Sequence, residues 1–267
     1  MIEPKVTLMA QTRLEPEAIE RYLKSIDVVD KTFKISGSSD AEGLIELCGR
    51  VCYKAFGVGM NPNITKVRKG NLAYIDNILK SGHGSVLEHV SCSFMFDNVS
   101  RIFTHELIRH RAGTAVSQES GRYVRKIGDL EMWNPPEIIK EIRLNEGVVI
   151  STVLGFLSNT GDILRKYLER IIDLDNCKDF GYKKRVTSWL RRYNYEGLPT
   201  SIVFTMNFRA LRYILEERTS VHAEEEMRFI FQEVGRIAKK QWPNVFADFE
   251  VNVVDGYEVY STKYSKV

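Results

Sequence analysis

Apolar positions recur every three to four residues over 15–25 and again over 40–55, the spacing of helices that bury one face. Residues 61–70, NPNITKVRKG, break that rhythm with proline, asparagine and glycine and read as a loop. Helical spacing returns over 71–81 and stops at Ser81-Gly82, where glycine suits a helix end. From Glu88 to Phe96 apolar and polar positions alternate, with Val90, Cys92, Phe94 and Phe96 on one side, which predicts a strand. Asp97 or Asn98 is the expected cap of a helix running to about Arg111. Residues 128–136, ending in Trp133-Asn134-Pro135-Pro136, read as a loop, and two or three helices are expected between 137 and 193 with a polar break near 173–182. Thr200–Met206 is apolar and β-branched and predicts a strand, followed by helices over 207–218 and 222–241. The tail from Phe249 to Val267, rich in Tyr and Val, is expected to add edge strands or to clasp a neighbouring chain. No repeat, low-complexity tract or composition break interrupts the chain. The expected fold class is therefore α+β: one domain over 1–267, a mixed or antiparallel sheet flanked by helices, with 1–36 as an N-terminal extension and 250–267 as a C-terminal tail.

Composition narrows the function. A hydrophobic content of 43% supports a real core, and 38 basic against 35 acidic residues leave a net charge of only +3. That balance argues against a dedicated nucleic-acid binder, whose basic excess is larger and clustered. Arginines gather instead in 101–125 and 185–218, which suggests local anion sites. The first 17 residues hold no apolar signal core, and no run of ~18 apolar residues occurs, so no membrane span and a cytoplasmic location are expected. Cys48, Cys52, Cys92 and Cys177 form no CxxC pair and are expected as free thiols. No metal site is expected: in HELIRH, His105 and His110 stand five apart, whereas a zinc helix needs four, and His105 is taken as structural. GVGMNP at 57–62 places Pro62 where a dinucleotide fingerprint needs its third glycine, and no Walker loop is present.

The densest chemistry lies in RHRAGTAVSQESGRYVR, residues 109–125. Arg109, Arg111, Arg122 and Arg125 surround His110, with Ser117, Gln118, Glu119 and Ser120 between them. Guanidinium forks bind phosphate bidentately and stay charged at biological pH, while hydroxyl, amide and carboxylate groups read the polar edge of a ring. The segment suits a phosphorylated small molecule; the alternative is a solvated basic helix end. His110, among cations, is expected to stay neutral. His83 follows Ser81-Gly82 and precedes Gly84-Ser85, on a loop where backbone approaches a ligand closely. Asn207 and Arg218, eleven apart, fall on one face of a predicted helix, with His222 one turn beyond.

RHR, a short spacer and SQESGRY resemble the signature of the flavin-dependent thymidylate synthases. HGSVLEH at 83–89, THELIRHR at 104–111, and Asn207, Arg209, Arg218 and His222 extend the likeness over roughly residues 40–250. The resemblance implies reductive methylation of dUMP to dTMP by a homotetramer, with FAD as cofactor and NADPH and methylenetetrahydrofolate as co-substrates. It implies small-molecule partners and no nucleic-acid or membrane partner. By correspondence, His83, Ser85, Glu88 and His89 form a flavin-side loop; Arg109, His110 and Arg111 meet the flavin of an adjacent subunit; Asn207 and Arg209 contact the flavin and His222 lies near its ring. Glu106, Arg109, Gln118, Glu119, Ser120, Gly121, Arg122 and Arg218 correspond to the nucleotide side, with Arg122 and one of Arg191 or Arg192 for the phosphate. Arg218, Ser120 and His83 are the implied catalytic group, Ser120 positioning substrate and not attacking it; the chemistry needs no cysteine nucleophile.

Three features depart from the family pattern. The spacer Ala112–Glu119 holds eight residues where seven are usual, Tyr213 stands where asparagine is frequent, and Arg191-Arg192-Tyr193 replaces an arginine followed by Leu-Pro. They keep two other readings open: a related flavoenzyme acting on another pyrimidine nucleotide, and a nucleotide-binding relative without catalysis.

Overall fold

A computed structural model of the protein describes residues 3–28, 37–124, 132–133, 163, 166–167, 169–173, 175–190, 195–265 and 267. Its elements, in chain order, are β1 (Lys5–Gln11), α1 (Pro16–Ser25), α2 (Asp40–Tyr53), α3 (Asn71–Lys80), a 3-10 turn (Gly84–His89), β2 (Ser91–Val99), α4 (Arg101–Leu107), β3 (Thr114–Gln118), α5 (Phe180–Leu190), β4 (Thr200–Asn207), α6 (Phe208–Thr219), α7 (Glu225–Gln241), β5 (Phe249–Val254) and β6 (Tyr257–Thr262). The architecture is α+β. The expected loop at 128–136 falls outside the described residues except for 132–133.

The main sheet has the strand order β1-β2-β4-β3. Its neighbours run antiparallel. The Thr12 N–H at the end of β1 donates to Ser91 O at the start of β2. Ser93 bonds Thr205, and Ser201 donates to Asp97 at 2.5 Å, so β4 descends as β2 ascends. On the far side Asn207 N–H donates to Gly113 O and Glu119 N–H to Ser201 O. Alternation sets the faces: Cys92, Phe94 and Phe96 of β2 and Thr200, Ile202, Phe204 and Met206 of β4 are buried, while the residues between them are partly exposed.

The chain divides into two compact units: 1–5, 95–109 and 116–203 form one, and 6–94, 110–115 and 204–267 the other. In the first, the Phe96 ring meets Phe103 of α4 edge-on at 5.3 Å. In the second, α6 and α7 bury Leu211, Ile214 and Leu215 and Ile230, Phe231 and Val234, respectively. The β5–β6 hairpin lies against both helices. Tyr260 N–H donates to Thr219 Oγ1 of α6 at 2.9 Å.

Three buried charged residues of the second unit are held by hydrogen bonds. Arg50, 2% exposed, donates two hydrogen bonds to Glu46 at 2.7 and 2.9 Å, and Asn71 bonds the other carboxylate oxygen. Glu42 accepts the N–H of Asn244 at 2.7 Å; burial pushes its carboxyl up, against the pull of that bond and those from Val245 and Ser38. Arg212 forms a bidentate pair with Asp248 at 2.9 and 2.7 Å, and Thr262 of β6 donates to the same carboxylate. Burial pushes the Asp248 carboxyl up, but the Arg212 bonds and charge outweigh it and hold it below its usual value.

Several elements depart from the sequence reading. Residues 5–11 of the expected N-terminal extension are the edge strand β1. Helix α4 is capped by Ser100, whose hydroxyl accepts from Phe103 N–H, and not by Asp97 or Asn98, which still belong to β2. The same helix ends at Leu107, so Arg109-His110-Arg111 lies beyond it. Within the expected spacer loop, Thr114–Gln118 is strand β3. The tail forms an antiparallel hairpin, Phe249 pairing Thr262 and Val254 pairing Tyr257.

The Arg212–Asp248 pair yields a stability prediction. Asp248→Asn leaves a buried guanidinium without its counter-charge and is expected to cost about 3–5 kcal/mol in denaturant unfolding near neutral pH. A carboxyl held low in the fold stabilises above its unfolded value of about 3.9 and loses that contribution as pH falls through its folded value. The gap between wild type and Asp248→Asn is therefore expected to narrow below about pH 4; a gap constant with pH would show that the pair contributes no charge-dependent stability.

Candidate active site

In the second unit the strand β4 passes into helix α6 without a loop, and Asn207 is the hinge between them. Its extended backbone (φ −74°, ψ 164°) and its side-chain oxygen, which accepts from Ala210 N–H at 2.8 Å, make it the helix cap. Its own N–H donates to Gly113 O at 2.9 Å, and the next N–H, of Phe208, donates to Val90 O. Gly113 has φ +69°, and a Cβ there would collide with the Asn207 amide, so only glycine fits.

From Gly113 the segment 110–115 runs back along α6. Thr114 Oγ1 donates to His110 O at 2.7 Å, holding the turn closed. The His110 ring then packs edge-on against Tyr213 at 5.9 Å. Arg218 Nε donates to His110 Nε2 at 2.7 Å. That contact requires an unprotonated acceptor nitrogen, which agrees with the neutral ring expected among cations. Arg218 and His110 are thus fixed in mutual orientation although 108 residues separate them.

The His83–His89 segment meets the start of α6. Arg209 Nη1 donates to Glu88 at 2.6 Å, with both side chains about half exposed. Gly84 is buried, and a Cβ there would stand 3.0 Å from Arg209 Nε. His83 and Ser85 are exposed, and the His83 ring stacks on Tyr53 of α2 at 6.2 Å. Arg111 is exposed. His222, expected at the start of the helix 222–241, precedes it: α6 ends at Thr219, Ser220 turns extended, α7 begins at Glu225, and His222 is exposed in the turn between them.

The first unit carries a separate polar group. Arg101, at the start of α4, donates to Glu119 O at 3.4 Å, and its own N–H donates to Glu196 O. Gln118 Nε2 donates to Thr104 Oγ1 at 3.0 Å. After β3 the chain turns: Ser120 Oγ accepts from Arg122 N–H, and Ser120 O accepts from Tyr123 and Val124. Gly121 lies within this turn, half-exposed, and Arg122 is exposed beside the Tyr123 ring. Arg109 and Glu106 form an ion pair at 3.2 Å. Gly113 and Glu119 stand six positions apart, as do Asn207 and Ser201, so the two bonds keep one register. Arg191 and Arg192 lie outside the described residues.

Sequence reading assigned no role to Arg101, Thr104, Tyr53 or Tyr123, although Thr104 and Tyr123 stand in THELIRHR and SQESGRY and Arg101 is the first helical residue after a capping serine. They acquire partners through contacts between distant segments.

Comparison with known proteins identifies the family. The family model of the thymidylate synthase complementing protein matches residues 34–244. A flavin-dependent thymidylate synthase of Mycobacterium marinum is 35% identical over 226 residues, covering 83% of this chain and 86% of the relative. The enzymes of the same name from Mycolicibacterium vanbaalenii and Corynebacterium diphtheriae are 36% and 32% identical, covering 83% and 85% of this chain and 86% of each relative. With a match of that length running through every segment described above, the chain belongs to the thymidylate synthase complementing protein family.

Proposed function

We propose that the protein converts dUMP to dTMP, with methylenetetrahydrofolate as one-carbon donor, NADPH as reductant and FAD as cofactor. The observation that carries this reading is the continuous family match over 34–244, which contains every assigned position from His83 to His222. The relatives' shared name, flavin-dependent thymidylate synthase, points to the same chemistry.

The residues present fit a flavin dinucleotide. Arg209 offers a half-exposed guanidinium and Arg111 is exposed. Guanidinium groups suit a diphosphate. His83, Ser85, Glu88, Arg109, His110, Arg111, Asn207, Arg209 and His222 are the proposed cofactor contacts. When bound, the flavin supplies the electron transfer from NADPH to the one-carbon unit. The protein's own part is orientation and electrostatics. Arg122 is assigned the dUMP phosphate, and Glu106, Arg109, Gln118, Glu119, Ser120 and Gly121 the sugar and base edges. Arg218, held by His110, is assigned the uracil carbonyl oxygens, where a cation stabilises the charge that makes carbon 5 nucleophilic. Ser120, whose hydroxyl caps its own turn, positions substrate. Assembly as a homotetramer belongs to the same proposal. Among the described residues no helix is long and apolar enough to cross a membrane.

Purified protein is expected to be yellow and, given FAD, NADPH, methylenetetrahydrofolate and dUMP, to form dTMP; well-folded protein that retains no flavin under excess FAD refutes the assignment. Flavin reduction without dTMP, in protein that binds dUMP, would redirect the search to other pyrimidine nucleotides. Arg218→Ala is expected to lower dTMP formation far more than flavin reduction, because its partner is the base. Arg122→Ala should weaken dUMP by about ten- to a hundredfold while leaving deoxyuridine nearly unchanged, on the order of 1.5–3 kcal/mol for a lost charge-assisted pair. Equal losses for the two ligands would show that Arg122 shapes the pocket without reading phosphate. Light scattering is expected to give about four times the chain mass of 30.7 kDa.

A further inference from the structure

Beside Arg122 lies a cavity of about 250 Å³ lined by Arg122, Tyr123, Phe180, Lys183, Lys184 and Thr187, all within the first unit. Three of its six lining residues are cations, and none of the described lining residues is an acid. The acid nearest along α5, Asp179, is turned to the helix end, where it accepts from Tyr182 N–H at 3.0 Å. The other wall is aromatic: Tyr123 and Phe180 stack with ring centroids 6.4 Å apart and planes 23° apart, and both are more than half exposed. Lys184 is already committed, its ammonium 4.7 Å from the centre of the Tyr123 ring. It also hydrogen-bonds the Tyr123 phenol and so lowers its pKa. The guanidinium of Arg122 sits 5.9 Å from the same ring.

Cations gathered without counter-carboxylates repel one another, and the arrangement is relieved by a multiply charged anion. The cavity has room for one compact dianion and, against the stacked rings, for the uncharged part attached to it. We propose that Lys183 joins Arg122 as a ligand for a phosphate monoester, with Lys184 a positioning residue that fixes the Tyr123 ring as the floor. The proposal rests on the dTMP-forming reading for the identity of the ligand and deepens it by adding α5 to the phosphate subsite, 60 residues beyond the SQESGRY segment. Two components of that reaction carry a phosphate monoester, the 5′-phosphate of dUMP and the 2′-phosphate of NADPH. A charge-assisted hydrogen bond recognises both alike.

Lys183→Ala and Lys183→Arg separate the sources in full-length protein checked for native circular dichroism. If the ligand is dUMP, Lys183→Ala raises its dissociation constant about tenfold, leaves deoxyuridine unchanged, and Lys183→Arg restores most of the loss. If it is NADPH, the same variant lowers the preference for NADPH over NADH in flavin reduction and spares dUMP. Lys184→Ala is expected to weaken the phosphorylated ligand less and to restore the Tyr123 phenol to an ordinary titration, read by ultraviolet absorption. Should wild-type protein neither bind dUMP nor form dTMP, the proposed function is at fault; calorimetric titration with inorganic phosphate then tests the cavity alone, weaker binding in Lys183→Ala upholding it. A folded Lys183→Ala that matches wild type toward dUMP, NADPH and inorganic phosphate overturns the proposal.

Discussion

The second unit depends on the junction at Asn207. One residue ends β4, caps α6 through its side chain, and receives the turn at Gly113 through its backbone N–H. Because no loop intervenes, the direction of the strand sets the direction of the helix. Arg209, Tyr213 and Arg218 inherit their positions from it. The Gly113 backbone then carries His110 back along the helix to Tyr213 and Arg218. A displaced junction would misplace all of these together, since none of them is placed by a separate element.

Two populations of cations share this chain and differ in environment. Arg50 and Arg212 are nearly fully buried and locked to Glu46 and Asp248 with bidentate or doubled hydrogen bonds. Such charges are tolerable only when paired, and they fix packing. Arg122, Lys183 and Lys184 face a cavity with no acid among its described lining residues. Their self-repulsion costs little in water and becomes a binding force when an anion arrives. The Glu88–Arg209 pair is intermediate, half exposed on both sides, so it contributes little to stability and remains open to exchange with a ligand.

Strands β2 and β4 were legible in the sequence because both alternate between a buried and a half-exposed face, and the helices α1, α2, α3, α6 and α7 because their apolar stripes have helical period. Strand β1 escaped notice: it is an edge strand on which Met9 is 58% exposed, so burial imposes no pattern. Strand β3 was hidden inside a segment read for its chemistry, with three of its five residues exposed. The early end of α4 left no mark in the sequence, because no glycine or proline breaks the run from Leu107 to Arg111. The site residues were legible as local motifs. Their partners were not: Arg218 with His110 and Glu88 with Arg209 lie more than a hundred residues apart, and spacing along the chain carries no record of such pairings.

Helix α6 divides its duties by face. Arg212, Leu215 and Thr219 turn inward, to Asp248, the core and the Tyr260 backbone, while Arg209 and Tyr213 look outward. The anchoring contacts fix the rotation of the helix about its axis, so an outward side chain can be exchanged without loosening anything the fold needs. Tyr213, half exposed against the His110 ring, is one such outward side chain. The helix is in this sense evolvable: natural variation on its outer face can retune selectivity while the inner face keeps the scaffold constant.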